Sequence, residues 1–235
     1  MKRTEITWNV STGCTKVSAG CRNCYAEKMA LRLKAIGQEK YKNGFRLTLH
    51  PETLVAPYKW KKPRIIFVNS MSDLFHEEIP TDYIRKVFAV MNNNPHHIFQ
   101  IVTKRAGMLY KYDREGLLRW TPNIWMGVTV ENSDVLERID SLRQTGAAVK
   151  FLCCEPLLAP LPGLDLRSID WLILGGESGY NARPIKKEWV EDVLQQCRLS
   201  DTRFFFKQWG GVSKNKNGRE LNGRTYNEMP DIRVH

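Results

Sequence analysis

The 235-residue sequence contains no apolar run long enough to cross a membrane, and its first residues lack the apolar core of a signal peptide. We therefore expect a cytoplasmic protein with no membrane segment. No internal repeat, coiled-coil heptad or low-complexity segment is present, which favours an ordinary globular chain. None of the five histidines stands at metal-ligand spacing from another, so a metal site would depend on other residue types.

The sequence also lacks a dedicated lysine/arginine run and any known nucleic-acid-binding motif, although its net charge is +11. Residues 1–62 carry thirteen lysines and arginines against four acidic residues, so the excess lies in the first quarter of the chain. Such a concentration of positive charge attracts polyanions, which indicates a nucleic acid or nucleotide partner. A solvated basic face that only aids solubility is the alternative.

Three of the six cysteines fall within eleven positions, as Cys14-x6-Cys21-x2-Cys24. Gly13 and Gly20 directly precede two of them and allow sharp turns. In a reducing compartment, clustered cysteines are ligands more often than disulfides, and soft thiolates favour zinc or an iron–sulfur cluster. A [4Fe–4S] cluster held by three cysteines keeps one iron open. Zinc with a distant fourth ligand, or three unrelated buried thiols, remain as alternatives.

Short β-branched and aromatic runs alternate with helix-forming segments along the chain. Strands are predicted at 5–8, 64–68, 97–102, 123–130, 148–154, 170–174 and 203–207, and helices at 26–36, 81–91, 105–118, 132–144 and 187–198. Repeated βα units with continuous apolar strands are typical of a parallel barrel or open α/β sheet. No change in composition divides the chain, so we expect one domain over 1–210, a cysteine loop at 14–24, and an irregular C-terminal tail over 211–235.

Polar residues follow nearly every predicted strand. In parallel β/α folds the carboxyl ends of the strands meet at one edge, where function gathers. The set therefore predicts a polar pocket beside the cysteine loop, although each residue alone could cap a helix. Its members are Asn69, Ser70, Asp73, Lys104, Glu131, Glu155, Gly175, Gly176 and Glu177.

Two of these endings have a more specific interpretation. Gly175 and Gly176 expose the backbone, and Glu177 can accept hydrogen bonds from an ammonium group, which suits an amino-acid-like ligand. A tight turn is the alternative. Lys104 and Arg105 can hold a carboxylate or phosphate, or can form an ordinary helix start.

The adjacent Cys153 and Cys154 must point to opposite faces of their strand. One of them faces the barrel interior and could serve as a fourth ligand or a hydrogen-atom donor, and we take Cys154 as the catalytic candidate. Either could instead be a small core residue. Cys197 is predicted to be core, and His76 is the histidine expected near the pocket.

The cysteine loop, the strand order and the aromatic Tyr25 after the third cysteine resemble the radical S-adenosylmethionine superfamily. The usual superfamily spacing is Cys-x3-Cys-x2-Cys, so the first gap here is longer.

Over nearly its whole length the chain resembles a phage- and prophage-associated three-Cys-motif family, which is radical-SAM-like and largely without assigned function. The stretches that carry this resemblance are 4–9, 20–26, 67–75, 103–105, 154–158, 175–179 and 205–210. Members are often encoded beside a partner protein, so the resemblance implies a genetically linked partner.

The resemblance implies an α/β fold, a partial (β/α) TIM-like barrel of the radical-SAM type with parallel strands. Cys14, Cys21 and Cys24 would hold a [4Fe–4S] cluster whose open iron binds S-adenosyl-L-methionine. Reductive cleavage would give a 5′-deoxyadenosyl radical that modifies or repairs a substrate, with nucleic acid or nucleotide favoured. The rival hypothesis is a non-catalytic iron–sulfur or zinc protein that binds nucleic acid or a partner.

Overall fold

A computed structural model describes residues 6–212 and 217–231. Its central feature is a seven-stranded sheet in the order β1-β4-β5-β6-β7-β8-β9, and every neighbouring pair is parallel. A two-stranded antiparallel ribbon, β2-β3, lies beside it. The strands are β1 (Ile6–Trp8), β2 (Ser11–Thr12), β3 (Thr48–Leu49), β4 (Ile65–Val68), β5 (Ile98–Thr103), β6 (Ile124–Thr129), β7 (Val149–Cys154), β8 (Trp171–Gly175) and β9 (Arg203–Gln208).

Parallel strands that follow one another in chain order curl into part of a barrel. The predicted partial β/α barrel is therefore confirmed. The helices are α1 (Tyr25–Ala35), α2 (Ala56–Lys59), α3 (Thr81–Asn92), α4 (Ala106–Arg114), α5 (Glu137–Arg143) and α6 (Lys187–Leu199). Helices α3 to α6 share one core with the outer face of the sheet, whereas α1 packs in a smaller cluster with Met71.

Helix α3 shows why these segments form and where they pack. Ile84, Val87, Phe88 and Met91 recur at helical spacing, and all four are buried in the same core as the outer face of the sheet. The predicted helix over 105–118 is shorter in the structure. It ends at Arg114 because Gly116, at φ +67°, turns the chain into the left-handed region.

The inner face of the sheet has a separate apolar layer, and none of its described members lies in a helix. Trp171 lies at its centre, with ring centroids 5.5 Å from Phe151 and 6.2 Å from Trp125. These residues stand in the first half of their strands. The aromatic layer therefore fills the amino-terminal part of the half-barrel and leaves the carboxyl-terminal part to polar side chains.

The described part of the C-terminal tail runs along β9. The Tyr226 carbonyl accepts a hydrogen bond of 3.2 Å from the Phe206 N–H, and Leu221 is fully buried. The division into a domain and a tail remains a prediction. No helix in the described part of the chain has the length and apolar character needed to cross a bilayer.

Candidate functional site

The carboxyl ends of the seven parallel strands lie at one edge of the half-barrel, and the segment that carries the three cysteines crosses this edge. This segment is the cysteine loop, residues 14–24, and Gly13 directly precedes it. Its entry is fixed by the backbone, because the Gly13 N–H donates to the Met71 carbonyl at 2.9 Å. Gly13 has φ +84°, and a Cβ there would lie 2.2 Å from the Arg46 carbonyl oxygen, so only glycine fits.

Arg105, which follows β5, forms the first anchor of the cysteine loop. Its guanidinium donates to Oγ1 of Thr15 at 2.7 Å and to the sulfur of Cys14 at 3.3 Å. It also donates through Nε to both carboxylate oxygens of Glu77. Burial disfavours the charged guanidinium, but Asp73 and Cys14 outweigh this effect and raise the pKa of Arg105. The first cysteine is thus held by a permanently charged side chain.

Asp73 positions this anchor from beneath. Its carboxylate accepts hydrogen bonds from the Thr103 hydroxyl at 2.7 Å and from the Lys104 N–H at 3.0 Å, and it lies 3.4 Å from Nη1 of Arg105. These bonds tie the ends of β4 and β5 together. The predicted contact of Asp73 with a cofactor stays a prediction.

Glu131, which follows β6, forms the second anchor and is 0% exposed. One oxygen accepts from the Gly20 N–H at 3.1 Å and from the Ser18 hydroxyl, and the other lies 3.0 Å from Nη1 of Arg138. A Cβ at Gly20 would lie 2.9 Å from the carboxylate. Glycine before the second cysteine therefore lets the loop approach Glu131 closely.

Glu177, which follows β8, forms the third anchor. It accepts from Nδ2 of Asn23 and from Nε of Arg183, each at 2.9 Å. Arg183 in turn donates to the Ala19 carbonyl at 3.0 Å. Burial would raise the pKa of Glu177, but the hydrogen bonds from Arg183 and Asn23 prevail and lower it to about 2. The carboxylate therefore stays ionised and holds the end of the loop.

Three carboxylate–arginine pairs thus grip the cysteine loop at its start, middle and end: Asp73–Arg105, Glu131–Arg138 and Glu177–Arg183. Because buried charges must be paired, each pair fixes both of its members and the loop between them. The three carboxylates were predicted to face a cofactor. In the structure all three support the cysteine loop through their arginine partners, and their contact with a cofactor stays a prediction.

Asn69 and Ser70 form hydrogen bonds with neighbouring segments of the chain. Asn69 adopts φ +60°, and its side-chain oxygen accepts from the Val10 N–H at 3.0 Å, which shapes the turn after β1. The Ser70 carbonyl accepts a hydrogen bond from the hydroxyl of Tyr25. The ring that follows the third cysteine is therefore tethered to the end of β4.

Gly175, the last residue of β8, and Gly176, which follows it, have separate structural reasons. A Cβ at Gly176 would lie 2.0 Å from the Trp209 carbonyl oxygen, because the loop after β9 packs directly against it. A Cβ at Gly175 would lie 2.7 Å from Oε1 of Glu155. Backbone packing explains Gly176 and the nearby Glu155 side chain explains Gly175, and contact of either glycine with a ligand stays a prediction.

Gly175 allows a charge pair to form across the middle strand. Glu155 follows β7, Lys207 lies on β9, and the missing side chain on β8 lets them meet at 2.9 Å. The Glu155 carboxylate raises the pKa of Lys207. The sulfur of Cys153 lies 3.5 Å from the same carboxylate. These three side chains form a polar group on the inner face above the aromatic layer.

Lys104 lies on the same inner row, since Thr129 pairs with Cys153 in register and Lys104 approaches the Thr129 hydroxyl at 3.4 Å. Within residues 6–212 and 217–231, Lys104 forms no ion pair. It is therefore a half-buried cation beneath the cysteine loop that can still receive an anionic group.

The geometry does not support Cys154 as the catalytic cysteine. Cys154 is fully buried in the core shared with the helices, on the outer face of β7. Cys153 faces the interior instead, and burial raises its pKa. Strand alternation predicted that one of the pair would face inward but not which one. Cys197 lies in the helical core, as predicted.

The side chains of the cysteine loop can be compared with the ligands that an iron–sulfur cluster needs. Cys14, Cys21 and Cys24 are free thiols, each partly exposed, on one anchored loop. No group of three or more His, Cys, Asp or Glu side chains among the described residues is placed to hold a single metal ion. In a [4Fe–4S] cluster each thiolate binds a different iron, so the sulfurs stand farther apart than ligands of one ion. Three thiols on one anchored loop are the donor type that such a cluster takes.

Several residues of the site were not predicted as site residues, although Asn23 and Lys207 lie within stretches that carry the family resemblance. Arg138, Arg183 and Lys207 are common surface residue types, and they gain their roles only through partners that are distant in the chain. Asn23 falls between two cysteines, but nothing in the sequence indicates that it contacts Glu177. A pattern of polar strand endings finds the carboxylates and Arg105, whereas Arg138 and Arg183 come from a helix and a loop that follow.

A sequence profile described as "Protein of unknown function (DUF5131)" matches residues 1–230. The chain belongs to the DUF5131 family. No curated protein matches it. A solved structure of spore photoproduct lyase complexed with dinucleoside spore photoproduct is similar at 11% identity and TM-score 0.48, covering 81% of this chain and 60% of that one. A mutant of that enzyme with bound AdoMet and dinucleoside spore photoproduct is similar at 11% identity and TM-score 0.47, and the match covers 83% of this chain and 61% of that one. The DUF5131 chain thus spans about 60% of the length of those structures.

Proposed function

We propose that this DUF5131 protein is an iron–sulfur enzyme of the radical S-adenosylmethionine type. Cys14, Cys21 and Cys24 would hold a [4Fe–4S] cluster with one iron free for S-adenosylmethionine. The observation that carries the proposal is the fixing of three cysteines, on one loop, at the carboxyl edge of a partial parallel barrel. When bound, the cluster and S-adenosylmethionine supply a 5′-deoxyadenosyl radical that abstracts hydrogen from a substrate.

The protein's own contribution is to position the cysteine loop and the bound groups, and to exclude water. The three carboxylate–arginine pairs keep the loop in place whether or not the cluster is loaded. Lys104 offers its ammonium group to a carboxylate of the cofactor or a phosphate of the substrate. The aromatic layer around Trp171 closes the bottom of the half-barrel, so a reactive group above it is shielded from bulk water on that side.

A nucleic acid or nucleotide is the favoured substrate, and modification or repair of a base is the favoured outcome. Support comes from the thirteen basic against four acidic residues within 1–62, a segment that contains the cysteine loop and α1. Association with phage and a genetically linked partner protein remain predictions from the sequence.

Anaerobic reconstitution with iron and sulfide tests the proposal. We expect a protein-bound cluster, seen by iron and sulfide content and by its broad visible absorbance, and 5′-deoxyadenosine on reduction with S-adenosylmethionine. Cys24→Ala should abolish cluster binding, whereas the matched control Cys197→Ala, outside the loop, should retain it.

Two results would contradict the proposal in different ways. Purified protein with stoichiometric zinc and no ability to take up iron would exclude the cluster. An intact cluster that never yields 5′-deoxyadenosine would exclude the enzyme and leave a non-catalytic iron–sulfur protein.

A further inference from the structure

Tyr180 stands out on the rim of the half-barrel because 78% of its surface is exposed. It sits between two residues in the left-handed region, Gly179 at φ +111° and Asn181 at φ +66°. Two such residues make a tight turn whose tip carries the aromatic ring. The turn is fixed, since the Asn181 carbonyl accepts a hydrogen bond of 3.0 Å from Asn23 of the cysteine loop.

A second exposed ring and a lysine lie next to this turn. Lys28 donates through Nζ to the Tyr180 carbonyl at 3.4 Å. Tyr25, 58% exposed, precedes Lys28 by three positions on α1, so the two side chains share one face of the helix. We call Tyr25, Lys28 and Tyr180 the rim strip. It borders the edge at which the strands end and the cysteines are held.

Positive charge lies within the rim strip, at Lys28, and beside it, at Arg22, three positions before Tyr25. Lys28 and Arg22 are both exposed, and neither forms an ion pair with any residue that the structure describes. Unpaired cations beside exposed aromatic faces combine the two features used to hold single-stranded nucleic acid, namely base stacking and contact with the phosphate backbone.

We propose that the rim strip binds a single-stranded nucleic acid, with bases stacked on Tyr180 and Tyr25 and the backbone phosphates near Lys28. This inference deepens the proposed function, and rests on it for the claim that the bound strand is the substrate. A base inside a duplex is covered by its neighbours, whereas an unstacked base can enter the inner face beneath the cysteine loop. The expected substrate is therefore a single strand or an extruded base.

Fluorescence anisotropy with a short labelled oligothymidylate and the full-length protein tests the binding. We expect salt-dependent binding that exceeds binding of the matching duplex. Tyr180→Ala should weaken affinity by about tenfold. Lys28→Ala should lower the slope of log affinity against log salt by about 0.7, as expected for one lost phosphate contact. Both side chains are exposed, so we expect both variants to fold normally.

Matched controls lie on α2, which leads into the opposite, amino-terminal end of β4. Tyr58 is 46% exposed there and Lys59 is its exposed neighbour. Tyr58→Ala and Lys59→Ala should leave oligonucleotide affinity unchanged. Equal losses in the control variants, or full affinity in Tyr180→Ala, would overturn the assignment to the rim strip.

The outcome is independent of cluster chemistry. No binding of the oligonucleotide at low salt overturns the inference even if 5′-deoxyadenosine forms. Polyglutamate bound as tightly as the oligonucleotide also overturns it, because the surface would then recognise acidic chains in general. If the protein binds the oligonucleotide through Tyr180 but forms no 5′-deoxyadenosine, the proposed enzyme activity is wrong. The inference of single-strand binding then stands by itself.

Discussion

Asn23, between the second and third cysteines, donates a hydrogen bond of 2.9 Å to Oε2 of Glu177, which lies 154 positions later in the chain. The same oxygen accepts from the backbone N–H and from Nε of Arg183. One carboxylate at the end of β8 thus connects the last strands of the half-barrel to the loop that follows the first. The cysteine loop and the far side of the sheet should therefore lose order together.

Glu177→Gln tests this connection through pH. The folded-state pKa of Glu177 is lowered from 4.5 to about 2, so its stabilising effect is complete above the unfolded-state value. It is lost as the pH falls through the window between the two values. The variant lacks this pH dependence, and at neutral pH its free energy of unfolding should be lower by about 2 kcal/mol, since hydrogen bonds to a charged group are lost.

Urea unfolding of the metal-free protein, repeated from neutral to acid pH, measures both effects. Glu188→Gln on α6 is the matched control, because that carboxylate is exposed and has no ion pair among the described residues. If wild-type protein and Glu177→Gln show parallel stability curves down to acid pH, the carboxylate does not hold the loop.

The sequence was sufficient for the architecture but only partly for the site. Continuous apolar strands such as Ile65–Val68 require cover on both faces, which restricts them to a parallel β/α arrangement. Polar strand endings then identify the functional edge. Whether a carboxylate there faces a ligand or the chain depends on partners such as Arg183, and no local pattern places them. The sequence also did not show which of Cys153 and Cys154 points inward. Strand alternation places neighbouring side chains on opposite faces of the sheet, but it does not say which face is the inner one.

Glu131→Gln tests the central anchor. Glu131 is completely buried and pairs with the buried Arg138, so removing its charge leaves an uncompensated guanidinium. Breaking a buried pair in this way costs about 3–5 kcal/mol of unfolding free energy. Asp140→Asn is the control, since the exposed Asp140–Arg143 pair should contribute less than about 1 kcal/mol. Chemical unfolding of both variants measures the difference, and similar values for the two would contradict the assignment.

Gly176 and Gly107 should respond oppositely to alanine. A Cβ at Gly176 would meet the Trp209 carbonyl at 2.0 Å, and this backbone oxygen cannot move without shifting the loop after β9. Gly107 lies inside α4 with nothing within 4 Å of an added Cβ. Thermal unfolding should show a clear loss of stability in Gly176→Ala and a gain of about 1 kcal/mol in Gly107→Ala. A neutral Gly176→Ala would mean that the two loops are not packed as described.

Thiol labelling should separate the six cysteines by position. The thiolate is the reactive form, so burial slows labelling both by shielding the sulfur and by raising its pKa, as for Cys197 at about 12. In metal-free protein at about pH 8, iodoacetamide should modify the partly exposed loop cysteines first and reach Cys154 only on unfolding. Peptide mass spectrometry follows each site. Labelling of Cys154 as fast as that of Cys21 would contradict its place in the helical core.

Arg105→Lys tests whether the first anchor needs a guanidinium or only a charge. The guanidinium reaches Glu77, Thr15 and Cys14 at once, and a lysine ammonium cannot make these planar, divergent contacts. We expect the metal-free variant to lose about 3 kcal/mol of unfolding free energy. A lysine ammonium would neutralise the negative charges of Glu77 and Asp73 only in part.

The same substitution should lower the iron bound after anaerobic reconstitution, since Thr15 and Cys14 are no longer held from one side. Arg114→Lys is the matched control, because Arg114 is exposed at the end of α4 and forms no ion pair in the described part of the chain. Unfolding by urea and iron content report the two effects separately. If Arg105→Lys matches Arg114→Lys in both measurements, the loop owes its position to Glu131 and Glu177 alone, and the contact between Arg105 and the Cys14 sulfur is incidental.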